Sequence, residues 1–339
     1  MNAAVDPREL FCRHTANPVL SAIDFPKMVN AVFNPGATSF EDETLLLVRV
    51  EMRSGVSHLA VATSPDGRTS WTIDPERRLD PDLDSFAEHW GIEDPRIIKI
   101  GDEYMIVYTG YSLGGPLVCL ATTRDFHSFE RRGVLLPPEN KDAAIFPMTF
   151  DGRWALIHRP VPSTPSLGTD IWLSWSPDLR HWGDPRVLLP ARRGGWWDAN
   201  KVGLGPPPLL TPEGWLICYH GVKTTVSGSV YRLGLALLDR DHPDHLLIRG
   251  NEWIFGPHAS YERSGDVSDV VFPCGWILRD DGDTLDMYYG GADSVVCLAT
   301  ASLQDLLDHL HSHPLDETHR AAGGQAAVVS GRAARPRRG

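Results

Sequence analysis

Short apolar runs separated by turn residues dominate the pattern along the chain. Seven of them are rich in β-branched or aromatic residues: LLLVRVEM (45–52), HLAVATS (58–64), YMIVYTG (104–110), LVCLATT (117–123), WALIHRP (154–160), WLICYHGV (215–222) and DMYYGG (286–291). Runs of this length and composition predict β-strands. Helical periodicity is confined to DLDSFAEHW (82–90) and SLQDLLDHLH (302–311). The pattern therefore predicts an all-β fold with two short helices.

Several of these runs are copies of one unit, in which a strand ends in Thr or Ser, a turn carries Asp, and an aromatic residue follows. The copies are HLAVATSPDGRTSW (58–71), VCLATTRDFHSF (118–129) and IWLSWSPDLRHW (171–182), with less complete ones at 233–244 and 296–307. The turn aspartates at 66, 125, 178 and 239 lie 59, 53 and 61 residues apart. A period of about 50–60 residues that holds about four strands is typical of a β-propeller. Five copies predict a five-bladed β-propeller.

The repeated positions are expected to be structural. The turn aspartates predict side-chain-capped turns, and Trp71, Phe129 and Trp182 are expected to pack the blades rather than to bind sugar. Inner strands of a propeller converge on a central axis. Residues that interrupt the repeat are therefore the candidates for function.

Composition excludes several classes of protein. The chain has 339 residues, 42% of them hydrophobic and 22% charged, with a net charge of −12. An acidic chain does not fit a nucleic-acid-binding surface, and no apolar run is long enough for a membrane span. The first residues lack the pattern of a signal peptide, so a cytoplasmic protein is expected. The five cysteines show no metal-ligand spacing and are expected to be free thiols, most of them buried.

The domain prediction follows from the repeat. Residues 26–312 are predicted to form the propeller, and residues 1–25 an N-terminal extension. Residues 313–339 are predicted to be a disordered basic tail because they are small, basic and poor in bulky apolar residues. The tail's arginines leave open a contact with a polyanion, although a solvated tail is the expected state.

Basic residues interrupt the repeat in or beside the apolar strands. They are Arg49, Arg96, Lys141, Arg159, Lys201 and His220. Cations from different blades would repel each other at a common axis unless an anion lay between them. Phosphate fits such a place, because arginine binds it through two parallel hydrogen bonds and lysine acts as a point charge. The pattern predicts a phosphate site.

The interrupting segments, taken in order, resemble glycoside hydrolase family 130. They are NPGA (34–37), LVRV (47–50), IEDPRI (92–97), KDAAIFP (141–147), HRP (158–160), NKVG (200–203), YHGV (219–222), LGLALLD (233–239), VVFPCG (270–275) and YYGGAD (288–293). The resemblance covers residues 30–305, roughly. It implies a five-bladed propeller that acts on β-mannosides.

The resemblance implies an inverting β-mannoside phosphorylase, which releases α-mannose 1-phosphate from a mannobiose, mannooligosaccharide or mannosyl-glucose. Inorganic phosphate is then the co-substrate, and no cofactor or metal is expected. It implies that the acid is Asp94, which donates its proton through the 3-hydroxyl of the mannosyl unit. The apolar neighbours Ile92, Pro95 and Ile97 are expected to raise the pKa of Asp94. Strand alternation is expected to turn Glu93 away from Asp94, toward an arginine.

The family pattern also implies roles for other residues. The phosphate-binding residues are Arg49, Arg159, Lys201, His220 and Tyr231, and the substrate-binding residues are Asn34, Arg96, Lys141, Asp142, Asp198 and Asp293. Local alternatives stay open at several of these positions. His220 also fits a core histidine, Asn34 a turn cap and Asp293 a turn after two glycines. Trp196 and Trp197 fit either a sugar platform or blade packing.

Three rival functions remain to be weighed against phosphorolysis. A β-1,2-mannosidase of the same family would use water and lack the basic set, which this chain retains. A non-catalytic glycan-binding propeller would need neither an acid nor a phosphate site. A furanosidase of the five-bladed type would rely on three separated carboxylates in a different motif order. The linkage, the acceptor sugar and the oligomeric state, including a homo-oligomer, are left open.

Overall fold

The computed structural model describes residues 9–26, 28–161 and 168–315, and these form five β-sheets. The first strand is β1 (Cys12–Arg13), and a short 3₁₀ helix (Ala22–Asp24) follows it. The first blade contains β2 (Val29–Phe40), β3 (Glu43–Met52), β4 (Ser57–Ser64) and β5 (Thr72–Leu79). The second contains β6 (Ile92–Ile100), β7 (Glu103–Ser112), β8 (Gly115–Thr123) and β9 (Glu130–Leu136).

The next two blades repeat this antiparallel meander. The third contains β10 (Asn140–Phe150), β11 (Arg153–Pro160), β12 (Ile171–Ser176) and β13 (Gly183–Leu189). The fourth contains β14 (Lys201–Leu204), β15 (Leu209–Thr211), β16 (Gly214–Thr225), β17 (Gly228–Leu238) and β18 (Leu246–Arg249), with β14 and β15 both paired to β16. The predicted five-bladed β-propeller is confirmed.

The fifth blade is built from both ends of the described chain. Its three longer strands are β19 (Val271–Leu278), β20 (Thr284–Gly291) and β21 (Val295–Ser302). Helix α1 (Ser260–Arg263) precedes them and helix α2 (Leu303–Ser312) follows them. Its outer strand is β1, where Cys12 pairs with Thr300 and Arg13 with Ala299. The segment predicted as an N-terminal extension therefore supplies the strand that closes the ring. The predicted tail from residue 316 onward lies outside the described residues.

Strand β3 shows why the apolar runs are almost continuous. Leu45 and Leu47 point into the core between the first and second blades. Leu46 and Val48, on the opposite face, point into the core between the first and fifth blades. Because successive side chains of a strand face opposite sides, a blade that is covered on both faces needs apolar residues at every position.

The repeated turn residues are structural, as predicted. Asp66 accepts hydrogen bonds from the backbone N–H groups of Arg68 and Thr69, both at 2.8 Å. Asp125, Asp178 and Asp239 cap their turns through the same pair of positions. The following aromatic residues Trp71, Phe129 and Trp182 are partly buried against the blade cores.

One of the two helix predictions was wrong. Residues 303–312 form α2, but residues 82–90 form a series of turns. Glu88 in this segment is buried, and it accepts hydrogen bonds from the Tyr108 hydroxyl at 2.6 Å and from the Asp82 N–H at 2.8 Å. These tertiary contacts outweigh the weak helical preference of a nine-residue segment.

The five cysteines are free thiols and most of them are buried, as predicted. Cys119, Cys218, Cys274 and Cys297 are buried free thiols, and Cys12 is an exposed one. Burial raises the pKa of Cys119 to about 12, which keeps this thiol protonated. Across the described ranges, no helix has the length and apolar character needed to cross a membrane.

Candidate active site

The inner strands of the first three blades share one irregularity. The pairing register shifts between Phe33 and Gly36 in β2, between Glu93 and Arg96 in β6, and between Lys141 and Ala144 in β10. A left-handed residue stands at each shift: Asn34, Asp94 and Asp142, with φ of 46°, 50° and 52°. Asparagine and aspartate tolerate this conformation better than other non-glycine residues. The bulge gives three neighbouring blades one buried polar side chain each at the same level of the channel.

Asp94 is buried and surrounded by donors. Its Oδ1 accepts hydrogen bonds from Asn34 Nδ2 at 2.9 Å and from Arg49 Nη1 at 3.2 Å. Lys141 Nζ lies 4.0 Å from its Oδ2. Burial alone would raise the pKa of Asp94, but Arg49, Lys141 and the Asn34 hydrogen bond outweigh burial and hold it below its usual range. The predicted upward shift of this pKa is wrong for the ligand-free protein, because charge and not apolar surface dominates.

Glu93 lies inside the same cluster. Its Oε1 accepts a hydrogen bond from Arg49 Nη2 at 2.9 Å, and its Oε2 lies 3.9 Å from Lys141 Nζ. The arginine partner was predicted, but the separation from Asp94 was not borne out, since both carboxylates share Arg49 and Lys141. The bulge at Asp94 breaks the strict alternation on which that expectation rested.

A second group of side chains surrounds Asp142 in the third and fourth blades. Arg159 Nε donates to Asp142 Oδ2 at 2.7 Å, and His220 Nε2 lies 3.5 Å from the same oxygen. Asp142 is fully buried. Burial opposes ionisation, but Arg159 and the other neighbouring cations hold the pKa of this carboxyl far below its usual range. Asp142 is therefore a permanent anion that orients Arg159.

His220 is a neutral group. Burial lowers its pKa well below the usual range and outweighs the opposite effect of Asp142, and nearby Arg159 and Lys201 lower the pKa further. Its ring lies 4.8 Å from that of Phe272 and 5.7 Å from that of Tyr231. Neither ring nitrogen has a hydrogen-bond partner among the described residues. His220 is thus available to donate to an oxygen atom of a bound molecule, rather than to act as a cation.

Lys201 and Tyr231 complete this group. Lys201 Nζ donates to the Tyr231 hydroxyl at 2.6 Å. Burial, with a contribution from Arg159, lowers the pKa of Lys201 to about 8. Burial also raises the pKa of Tyr231, so this hydroxyl keeps its proton when Lys201 loses one.

If Lys201 binds phosphate, as the sequence predicts, its lowered pKa sets an alkaline limit to phosphate use. Lys201 carries its charge below pH about 8 and loses it above, so kcat/KM for phosphate should fall as the pH rises through about 8. A pH profile of initial rates at subsaturating phosphate measures this. The Lys201→Arg variant stays charged and should move the fall to higher pH. A fall that remains at pH about 8 in the active arginine variant would assign it to another group.

Arg96 lies at the cluster, where its Nη2 stands 3.7 Å from Asp142 Oδ1, but its hydrogen bonds go to backbone carbonyls. Its fully buried guanidinium donates to the carbonyl oxygens of Asp94 at 3.1 Å, Leu204 at 2.8 Å and Gly205 at 2.7 Å. It thereby ties the inner strand of the second blade to the inner strand of the fourth. In place of the expected substrate contact, Arg96 holds the backbone of Asp94 in position.

Asp198 is also placed away from the cluster. Its Oδ1 accepts from Arg192 Nε at 2.6 Å, and its Oδ2 accepts from Arg249 Nη2 at 2.7 Å. The carboxylate is fully buried within the fourth blade. Trp197 stacks on Tyr219 with ring centroids 5.6 Å apart, which is blade packing. The substrate-binding prediction for Asp198 is therefore not supported, because arginines hold both of its oxygens.

Asp293 brings the fifth blade into the cluster. It follows β20 in a left-handed turn with φ of 50°, so the turn interpretation of this residue holds as well. Burial and the neighbouring Asp94 charge raise the pKa of Asp293 to about 6. Such a carboxyl can carry a proton near neutral pH.

The cluster as a whole combines all five blades. We call Asn34, Arg49, Glu93 and Asp94 its acid half, and Asp142, Arg159, Lys201, His220 and Tyr231 its basic half, with Lys141 between them. Arg49, predicted among the phosphate ligands, lies in the acid half. Five cations face four carboxylates here: Arg49, Arg96, Lys141, Arg159 and Lys201 against Glu93, Asp94, Asp142 and Asp293. The excess of positive charge favours an anionic ligand.

Sequence reasoning missed two contributors. Ser57 Oγ accepts a hydrogen bond from Arg49 Nε at 3.2 Å, and Phe272 packs against His220. Neither lies in a charged motif, so only the three-dimensional packing reveals them. No group of three or more His, Cys, Asp or Glu side chains in the described ranges could hold a metal ion.

Buried carboxylates and cations on the axis of a five-bladed propeller fit the active site of a carbohydrate-processing enzyme that binds an anion. A family model for glycoside hydrolase family 130, described as beta-1,4-mannooligosaccharide phosphorylase, matches residues 9–312. The chain belongs to glycoside hydrolase family 130.

Individual relatives agree with this assignment. The chain is 31% identical over 315 residues to a beta-1,4-mannooligosaccharide phosphorylase of Ruminococcus albus, which covers 91% of this chain and 93% of that protein. It is 39% identical over 279 residues to a beta-1,2-mannobiose phosphorylase of Listeria innocua, covering 80% and 75%. A solved structure of beta-1,2-mannobiose phosphorylase from Listeria innocua with beta-1,2-mannobiose is similar, with a TM-score of 0.81 and 33% identity over 89% of this chain and 99% of that one.

Proposed function

We propose that this protein is an inverting β-mannoside phosphorylase, which cleaves a β-mannosyl linkage with inorganic phosphate and releases α-mannose 1-phosphate. The observation that carries the proposal is the basic half of the cluster, where Arg159, Lys201, His220 and Tyr231 converge beside Asp94. The names of the relatives support it, since those proteins are phosphorylases of β-1,2- or β-1,4-linked mannosides.

The basic half suits phosphate as nucleophile. Arg159 and Lys201 supply charge, and His220 and Tyr231 supply neutral donors that stay protonated when phosphate arrives. Asp142 holds Arg159 in place at 2.7 Å and prevents the cations from standing unpaired in the absence of ligand. Phosphate is already an anion, so the reaction needs no base to generate the nucleophile.

Asp94 is proposed as the general acid. A phosphate oxygen attacks the anomeric carbon, and the bond from that carbon to the glycosidic oxygen breaks. The leaving oxygen takes the proton of the mannosyl 3-hydroxyl, which takes the Asp94 proton in turn. In the ligand-free protein Arg49 and Lys141 keep Asp94 ionised. Bound phosphate brings negative charge that offsets these cations and shifts the proton toward Asp94. Phosphate binding would thus protonate Asp94 before the glycosidic bond breaks.

Recognition of the mannosyl unit is assigned to the side chains between the two halves. Asn34 and Asp293 are proposed to bond the mannose hydroxyls, and Lys141 to bridge sugar and phosphate. Asn34 Oδ1 has no hydrogen-bond partner in the described part of the chain, which leaves an acceptor for a hydroxyl.

Hydrolysis is less well supported by the same geometry. An inverting hydrolase needs a second carboxylate that accepts a proton from water. Asp142 occupies the basic half, but its pKa is held far below the usual range, which makes it a poor base. The expected cytoplasmic location and a homo-oligomeric state stay predictions.

The reverse reaction tests the proposal. The protein is incubated with α-mannose 1-phosphate and acceptor sugars (mannose, glucose, N-acetylglucosamine and the β-1,2- and β-1,4-mannobioses), and phosphate release is followed. We expect release only when a suitable acceptor is present. Phosphate-independent cleavage of a mannobiose, without release in any acceptor reaction, would establish a mannosidase instead.

A further inference from the structure

Four large apolar side chains are exposed together at one end of the second blade. Phe86, Trp90, Tyr111 and Leu113 have exposed fractions of 57%, 52%, 42% and 61%. We call these four residues the rim patch. Three of the four are aromatic, and none is charged. Contiguous exposed apolar surface on a soluble protein marks a place where something binds.

The loop and the hairpin that carry the rim patch lie side by side. The Trp90 N–H donates to the Tyr111 carbonyl at 2.9 Å, which places the first loop beside the hairpin between β7 and β8. The Phe86 ring lies against the tip of that hairpin, since a Cβ atom added to Gly114 would stand 3.4 Å from Phe86 Cζ. The His89 ring contacts the Trp90 ring edge-on, with centroids 4.7 Å apart.

The loop that carries Phe86 and Trp90 is firmly anchored. Besides Tyr108 and Asp82, the buried Glu88 carboxylate accepts from Arg131, whose Nη2 lies 2.9 Å from Oε2. The loop that carries the exposed rings of Phe86 and Trp90 is therefore held in one conformation. A surface held in its binding conformation loses little entropy when a ligand arrives.

A chain of direct contacts links the rim patch to the acid. The Tyr111 N–H donates to the Gly91 carbonyl at 2.9 Å, and Gly91 forms a β-bridge with Ser57. Ser57 accepts from Arg49, which in turn donates to Asp94. Trp90 precedes Asp94 by four residues, so their Cα atoms are at most about 14 Å apart. A sugar chain of a few units that begins in the axial cluster can span such a distance.

We propose that the rim patch binds the distal sugar units of a β-linked mannooligosaccharide whose end lies in the axial cluster. The proposal rests on the phosphorylase function proposed above and specifies its substrate as a chain longer than a disaccharide. Sugar rings present an apolar C–H face that packs on aromatic rings while their hydroxyl edges stay in water. An uncharged glycan also matches a patch without charged side chains.

Acceptor length provides the test. Phosphate release from α-mannose 1-phosphate is measured with mannose and with the β-1,2- and β-1,4-linked mannotetraoses as acceptors. For each enzyme the ratio of kcat/KM for a tetraose to kcat/KM for mannose is compared. Trp90→Ala should lower this ratio about tenfold, equivalent to about 1.4 kcal/mol, and Trp90→Phe should restore most of it. Leu247→Ala, an equally exposed apolar residue on the outer strand of the fourth blade, should leave the ratio unchanged.

The outcomes separate this proposal from the proposed function. No release with any acceptor in the wild-type protein would reject the phosphorylase itself. An active wild type whose ratio is the same in Trp90→Ala would reject the rim patch as a glycan site. A change of sedimentation coefficient in Trp90→Ala, with the ratio unaltered, would show that the patch is a contact between copies of the chain.

Discussion

The Asp94→Asn variant is expected to lose kcat by about 10²–10⁴-fold in the reverse reaction, which is the usual contribution of general acid–base catalysis. The amide keeps the size of the carboxyl group and can still accept from Asn34 and Arg49, so the surrounding hydrogen bonds persist. It cannot exchange a proton with the glycosidic oxygen through the mannosyl 3-hydroxyl. The loss should therefore appear in kcat and only weakly in KM for α-mannose 1-phosphate, measured by phosphate release.

A matched substitution controls for the general effect of removing a carboxylate. Asp184 is an exposed surface residue that pairs with Arg153 at 3.1 Å, and Asp184→Asn should retain wild-type kcat. If Asp94→Asn keeps its kcat and its melting temperature, the acid lies elsewhere. Asp293, with a pKa of about 6, would then be the next residue to replace.

The Arg13→Met variant is expected to lose about 3–5 kcal/mol of unfolding free energy. Arg13 lies in β1 and donates to both oxygens of the fully buried Glu262, at 2.7 and 2.9 Å. It also pairs with Glu9 and donates to the Gly256 carbonyl at 2.6 Å. Methionine keeps the apolar stem but leaves two carboxylates in the interior without their cation. We expect a melting temperature lower by about 5–15 °C in a thermal unfolding experiment.

The Arg78→Met variant is the control for this loss. Arg78 pairs with Asp80 at 3.0 Å, but both side chains are about half exposed, and such pairs contribute about 0–1 kcal/mol. A melting temperature of Arg13→Met equal to that of Arg78→Met would mean that the ring closes without this ion pair. The remaining hydrogen bonds to Glu262, from Tyr289 and from the backbone at His258 and Ala259, would then be sufficient.

The blade architecture was predictable because its signals are local and repeated. A turn aspartate such as Asp66 accepts hydrogen bonds from the backbone N–H groups two and three residues ahead. Its role can therefore be predicted from the few residues around it. The outer strand of the fifth blade was not predictable in this way. It has only two residues, and its partner is Ala299–Thr300 at the opposite end of the chain.

Residues 82–90 failed as a helix for a related reason. Their periodicity reflects side chains that serve tertiary contacts, above all the buried Glu88, and not a helical face. Local propensity is a weak guide where a polar side chain is drawn into the core.

For the charged residues near the axis, the sequence predicted which residues matter but not which partners they contact. Charged residues in the apolar strands were identified because charge inside an apolar run requires a partner, and Asp94, Lys141, Asp142 and Arg159 do meet on the axis. What the sequence could not show is which partner each would find. Asp198 and Arg96 have the same charged character, yet one is bonded to arginines inside a blade and the other to backbone carbonyls.

The closure of the ring by β1 also constrains the order in which the molecule can be completed. Cys12 and Arg13 emerge during synthesis well before Ala299 and Thr300, with which they pair. Until then β21 does not exist, and β1 has no sheet to join. Contacts between residues so distant in sequence form slowly, because a long loop must close before they contribute any stability. A ribosome-bound chain with four finished blades would therefore expose its unclosed faces to aggregation until β21 emerges and pairs with β1.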